Sequence, residues 1–170
     1  MGETRMGKKS VKENKNIYHL MREEQNLTRE QASELMETIS ADRIEKIENE
    51  RSYPHPDEIL LMADAYKAPQ LCNYYCSHEC PIGQEYVPEV SVKELSQIVL
   101  QMVSKLNSMN REKDRLIDIA SDGEISADEY NDFATIQKQL SEMSMSIESF
   151  RIWVDKTIAE GKIDKSILKS

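Results

Sequence analysis

The segment Asn26–Pro56, NLTREQASELMETISADRIEKIENERSYPHP, decides the fold of this chain. It reads as two short helices joined by a turn. Thr28 is a good N-cap, because its hydroxyl can accept from an amide that has no partner inside a helix. Ala32 and Leu35 supply an inward face, which the polar pair Glu37-Thr38 interrupts before Ile39. Ser40 caps a second start, Ala41 to Glu48. Asp42 lies in its first turn, where the helix dipole favours negative charge, and Ile44 and Ile47 are three apart on one face. That helix stops before Tyr53-Pro54-His55-Pro56, since neither proline fits a helix interior.

Two helices joined by a turn of about three or four residues, the second with a polar outer face, have the layout of a DNA-reading helix-turn-helix. The runs LTREQASELMETIS, RIEKIEN and YPHPDEILLMADAYKAP resemble the Cro/C1-type helix-turn-helix of the XRE regulator family, from Asn16 to Leu71. The resemblance implies a five-helix domain that binds double-stranded DNA. Thr28 falls on the family's cap, Ser33 where a small residue lets helix pack on helix, and Ile44 with Ile47, Glu48 and Asn49 on the end of its reading helix. The sequence departs from the pattern at three places. Glu37-Thr38 occupy a turn one residue longer, in which a single glycine is usual. Arg29 replaces a phosphate-touching glutamine, and Glu50 stands where glycine often follows Asn49.

In such a domain the helix from Ala41 to Asn49 enters the major groove. Arg43 and Lys46 then reach base edges or phosphate, Arg29 holds phosphate from the preceding helix, and Ser40 and Ala41 sit where the helix start approaches the duplex. Asp42 and Glu45 oppose this. A carboxylate in the groove is tolerated mainly opposite a cytosine amino group.

At 170 residues the chain can hold one ordinary domain, or a small one with an appendage. Only 6% of residues are aromatic and 31% are charged, which suits helices and leaves little material for a sheet core. The sequence has neither a long apolar run nor an apolar stretch in MGETRMGKKSVKENKN, so no membrane partner is expected and the location should be cytoplasmic. A net charge of -9 argues against indiscriminate nucleic-acid binding. Arg5, Lys8, Lys9, Lys12 and Lys15 nevertheless make residues 1–15 a flexible basic arm, able to follow phosphates or enter a minor groove, or simply to remain solvated.

Around the central pair, Ile17, Leu20 and Met21 predict a first helix up to Gln25. Ile59, Leu60, Met62 and Ala63 predict a buried face on another helix that starts after Pro56 and stops at Lys67-Ala68-Pro69. The DNA-binding domain therefore spans residues 16–80 and ends in a cysteine-rich helix. Cys72, Cys76 and Cys80 lie four apart, so adjacent pairs share a face. All three could hold one zinc or an iron-sulfur cluster only if the helix unwinds near Cys80-Pro81, with His78, His55 or a second chain completing a zinc set. Against this, free cysteines also serve as small core hydrophobes.

Residues 81–90, PIGQEYVPEV, read as a linker. Beyond them, Leu95, Val99, Met102, Leu106, Met109, Lys113, Leu116 and Ala120 form one heptad seam. Phe133, Ile136, Leu140, Met143, Ile147, Phe150 and Val154 form another, with Ile158 one step beyond. The short SDGE between them predicts an antiparallel helical hairpin over residues 91–162. Gly123 provides a C-cap and Ser126 with Glu129 a capping box. Two narrow stripes cannot make a thick core, so the hairpin is expected to pair with a second copy, giving a homodimer.

The expectation is an all-α chain, a five-helix Cro/C1-type bundle followed by a long antiparallel hairpin. No nucleophile-base pair, phosphate-cradling glycine loop or carboxylate dyad stands out, so an enzyme is not expected. A sequence-specific, homodimeric transcription regulator is the leading reading. A protein-interaction module on the same scaffold and a cysteine-based metal or redox sensor are the alternatives.

Overall fold

The structure, a computed structural model, describes residues 14–121 and 123–168, so nearly all of the expected basic arm lies outside the described residues. Among these residues are eight α-helices, one 3-10 turn and no strand. In chain order the helices are α1 (Ile17–Glu24), α2 (Arg29–Met36), α3 (Ala41–Glu48), α4 (Pro56–Ala65), α5 (Gln70–His78), α6 (Pro81–Tyr86), α7 (Leu95–Ala120) and α8 (Tyr130–Ala159). They divide into two units. Among the described residues, one comprises those up to Glu89 together with those from Asp155 onward, and the other lies within Val90–Val154.

Short helices need their ends satisfied, and here side chains do it. Asn16 accepts from the His19 amide at 3.1 Å and donates to the Ile47 carbonyl at 2.8 Å, so the cap of α1 also fastens α1 to α3. Thr28 and Gln31 form a reciprocal capping box on α2, and Ser40 accepts from the Arg43 amide at 3.2 Å at the start of α3. At their other ends α1, α3 and α4 finish alike. Asn26, Glu50 and Lys67 take positive φ angles of 56°, 58° and 51°, and the next amide reaches back to Arg22, Lys46 and Ala63 respectively. Glu50 thus adopts a conformation for which glycine is better suited.

The first unit closes over Tyr18, Ala32, Met36, Ile39, Ile44, Ile47, Ile59, Met62, Tyr66 and Leu71. Met36, rather than the expected Leu35, completes the inward face of α2. Leu35 is 61% exposed, and Leu20 and Leu60 also face outward. In each case two apolar residues adjoin in sequence, and only the neighbouring helices decide which one turns inward.

Part of the expected linker is helical. Pro81 occupies the first turn of α6, where its missing amide hydrogen costs nothing, and a six-residue helix is too short to display a period. Gly83 lets α6 lie directly on α5. A Cβ there would meet the Cys76 carbonyl oxygen at 2.1 Å. Asn73 then holds the departing chain through a 3.0 Å bond to the Pro88 carbonyl.

In the second unit α7 and α8 run antiparallel, as the cross-links Lys105–Glu142 and Arg115–Asp132 require. Gly123 takes the expected positive φ, 77°, whereas only half of the expected capping box forms: Glu129 accepts from the Ser126 amide and hydroxyl, the Glu129 amide donates to the Ser126 carbonyl, and α8 starts at Tyr130. The seams are turned by about one position from those expected. Ile98, Met102, Lys105, Met109, Glu112, Leu116 and Ile119 are the sheltered row on α7, and Ile136, Met143, Ser146 and Ser149 lie on its counterpart. Buried Ser146 and Ser149 return their hydroxyls to the carbonyls four residues back, at 3.1 and 2.9 Å. Val99, Leu106, Phe133, Leu140, Ile147 and Phe150 are left at least partly open to solvent.

Candidate nucleic-acid interface

The turn between α2 and α3 is strained. Glu37 has φ 59° and ψ -42°, and the Thr38 amide donates to the Met36 carbonyl at 2.6 Å, closing a three-residue γ-turn of the rare positive-φ kind. The expected four-residue turn is therefore present. It sets α3 with Ile44, Ile47 and Glu48 inward and Ser40, Asp42 and Lys46 exposed, while Ala41 and Glu45 are half-buried.

Lys46 pairs with Asp42 at 2.7 Å across one turn, and Arg51 lies 3.7 Å from Glu45. The exposed side of α3 thus carries mixed charge, largely neutralised within itself.

Arg43 does not project freely. Its guanidinium forms two parallel bonds with Glu58, Nε to Oε1 and Nη2 to Oε2, both at 2.7 Å, and also donates to Ser52 Oγ and the Tyr53 carbonyl. The hydrogen bonds from Arg43 hold the Glu58 carboxyl below its ordinary range, and the His55 amide, 2.7 Å from Glu58 Oε2, adds to the effect. Arg29 is likewise engaged, with Nε 2.8 Å from Glu48 Oε2. The two arginines expected to touch DNA therefore brace the domain in this conformation.

Glu48 is the hub that sequence reading missed. Only 1% exposed, it receives Arg22 through Nε at 2.6 Å and Nη2 at 2.9 Å, as well as Arg29, so one carboxylate joins α1, α2 and α3. Arg22 also donates to the Leu27 carbonyl at 2.6 Å. A signal for this role was available. Glu48 follows Ile44 by four and Ile47 by one, which places a carboxylate on the apolar face of its helix.

The cysteines do not converge with His78. Cys80 lies past the end of α5, at the N-cap of α6, so the helix does break where expected. His78 instead stacks on Tyr74, with ring centroids 4.4 Å apart, and its Nδ1 lies 3.1 Å from the Tyr74 carbonyl. Burial, then the neighbouring Cys80, pushes the Cys76 thiol up and so favours the protonated form over a thiolate ligand. Among the described residues no three His, Cys, Asp or Glu side chains are gathered into a metal-binding group.

Residues 19–69 match a protein-family model described as Helix-turn-helix. No curated protein and no solved structure matches the chain. No described helix is long and apolar enough to cross a membrane.

Proposed function

We propose that this chain, whose residues 19–69 match a helix-turn-helix model, is a sequence-specific transcription regulator of the Cro/C1-type XRE family that binds double-stranded DNA as a cytoplasmic homodimer. The observation that carries the reading is the start of α3. It is capped by Ser40, set at its angle by the Glu37 turn, and leaves Ser40, Asp42 and Lys46 open to a groove. Asp42 and Glu45 restrict the sequences that such a helix can accept.

Dimerisation falls to the hairpin. Val99, Val103 and Leu106 on α7 follow at steps of four and three, and Phe133, Leu140 and Ile147 on α8 at steps of seven. Each set makes an exposed apolar row that a second copy would cover. Selection of genomic fragments by the purified full-length protein at moderate salt tests both parts. An inverted repeat is expected, because half-site spacing mirrors two-fold protein symmetry.

A protein-interaction module is the second reading. It is favoured by the engagement of Arg29 and Arg43 with Glu48 and Glu58, and by acidic residues on the outer side of α3. Recovery of no duplex even at low salt would select it.

A further inference from the structure

Among the described residues up to Glu89, ten carboxylate side chains are exposed but only three basic ones, Lys46, Arg51 and Lys67. Lys46 is taken by Asp42, and Arg51 lies beside Glu45. Half of those carboxylates stand on α2, its C-cap and α4, two helices that pack against each other and present no exposed basic side chain. The outward side of α2 carries Glu30, Glu34 and Leu35, with Glu37 at its end. On α4, Asp57, Leu60, Leu61 and Asp64 follow at steps of three, one and three, which sets all four on one side of the helix. Leu60 is 64% exposed.

The helices do not gain from these charges. Glu34, Glu37 and Asp64 stand at the C-terminal ends of α2 and α4, where the helix dipole opposes a negative charge, and neither last turn has a basic residue. Glu30 and Glu34 are like charges one turn apart, which costs further. Among the described residues none of Glu34, Glu37, Asp57 and Asp64 has an ion-pair partner. Carboxylates that weaken their own helices, beside leucines that the fold leaves uncovered, point to a partner outside it.

The chemistry of the face selects that partner. DNA and anionic lipid are repelled. A second copy is repelled as well, because an isologous contact brings like charges together. We infer that the outer face of α4 docks a basic amphipathic helix, whose apolar side chains cover Leu60 and Leu61 and whose lysines or arginines, one turn to either side, lie on Asp57 and Asp64. The carboxylates of α2 strengthen the same field. This docking rests on the interaction-module reading and gives it a face and a partner class. Its failure leaves the hairpin rows open to a protein partner.

The test is fluorescence anisotropy of the full-length protein at moderate salt with a labelled peptide of about four helical turns, in which leucines recur at steps of three and four and lysines fill the other positions. One control peptide has glutamate for each lysine. The other has leucine and lysine in strict alternation, a pattern that gives a helix no apolar side. Saturable binding of the first peptide is expected, with each control at least about tenfold weaker. Asp57→Asn with Asp64→Asn should weaken it about three- to tenfold, and Leu60→Ser with Leu61→Ser about tenfold or more, at unchanged helicity. Glu24→Gln with Glu85→Gln removes two exposed charges from α1 and α6 and should change affinity by less than about twofold. Should the leucine variant fail to fold, the aspartate variant decides. Absence of saturable binding overturns the proposal, as do equal affinity for either control peptide and wild-type affinity in a folded aspartate or leucine variant. Equal losses in the Glu24, Glu85 variant and the Asp57, Asp64 variant also overturn it, since the attraction then follows net charge alone.

Discussion

Arg43 and Glu58 are joined by two parallel 2.7 Å hydrogen bonds that tie the first turn of α3 to the first turn of α4. The pair is about one-fifth exposed on the arginine side, and Ser52 and the Tyr53 carbonyl take further guanidinium donors. A side chain held in this way orients α3, and if α3 is the helix that enters the groove, reaching a base means leaving four hydrogen bonds behind. Removing the carboxylate should therefore release a cation to DNA.

Glu58→Gln is accordingly expected to tighten DNA binding and to steepen the dependence of log affinity on log salt by about one unit, the contribution of one more neutralised phosphate. Fluorescence anisotropy across a salt series reads both. An unchanged slope would mean that Arg43 stays with the protein even when freed.

The same pair predicts a pH dependence. Hydrogen bonding from Arg43 depresses the Glu58 pKa in the folded state, so the stabilisation is fully present above the ordinary glutamate value of about 4.3. It is lost as pH falls through the lower folded value. Urea midpoints measured on acidification should thus drop more steeply below about pH 4.3 for the wild type than for Glu58→Gln. Parallel curves would assign the acid sensitivity to other carboxylates.

Glu48 gives a larger effect. It is buried between Arg22 and Arg29, and Glu48→Gln leaves the Arg22 charge sheltered from water without its partner. A loss of about 3 to 5 kcal/mol in urea unfolding is expected. Replacing both residues, Arg22→Met with Glu48→Leu, should recover much of that loss, since two apolar side chains need no counter-charge. A double variant as unstable as the single one would place the role of Arg22 in its bond to the Leu27 carbonyl.

What could be read from the sequence was what local physics determines. Thr28 and Ser40 marked helix starts correctly because a cap and its amide lie three residues apart, and the bounds of α3 followed from Ser40 and the prolines beyond Tyr53. Side-chain choices between neighbours were less legible. Leu35 against Met36, and Val99 against Ile98, are equally apolar, and the answer lies in elements distant in sequence. The Arg43–Glu58 and Arg22–Glu48 pairs span 15 and 26 residues, so no local pattern announces them. Pro81 predicted the break at Cys80, while the turning of His78 onto Tyr74 depended on the stacking of those two rings.

The γ-turn at Glu37 offers a stabilising change. A non-glycine residue with φ 59° and ψ -42° is strained, and glycine adopts the region without a Cβ clash. Glu37→Gly should therefore raise stability by about 1 kcal/mol, the relief of strain exceeding the added freedom of the unfolded chain. Glu37→Ala, which keeps the Cβ, should bring no such gain. Thermal melts of the two variants make the comparison, and equal melting temperatures would remove backbone strain as the cause.

The final prediction concerns the outer rows of the hairpin. Leu106 is 49% exposed and Ile147 51% exposed, so neither contributes much to the fold of a single chain. If a second copy covers them, charges placed there are desolvated on association but remain hydrated in the monomer. Leu106→Glu combined with Ile147→Glu should convert a dimer into a monomer by light scattering, and each change should alter the stability of the isolated chain by only about 0.5 kcal/mol. Loss of the second copy should also remove cooperative occupation of an inverted repeat while leaving half-site binding intact. A variant that keeps the wild-type mass would locate self-association away from these rows. A wild type that is itself monomeric would leave the rows free for a different protein partner.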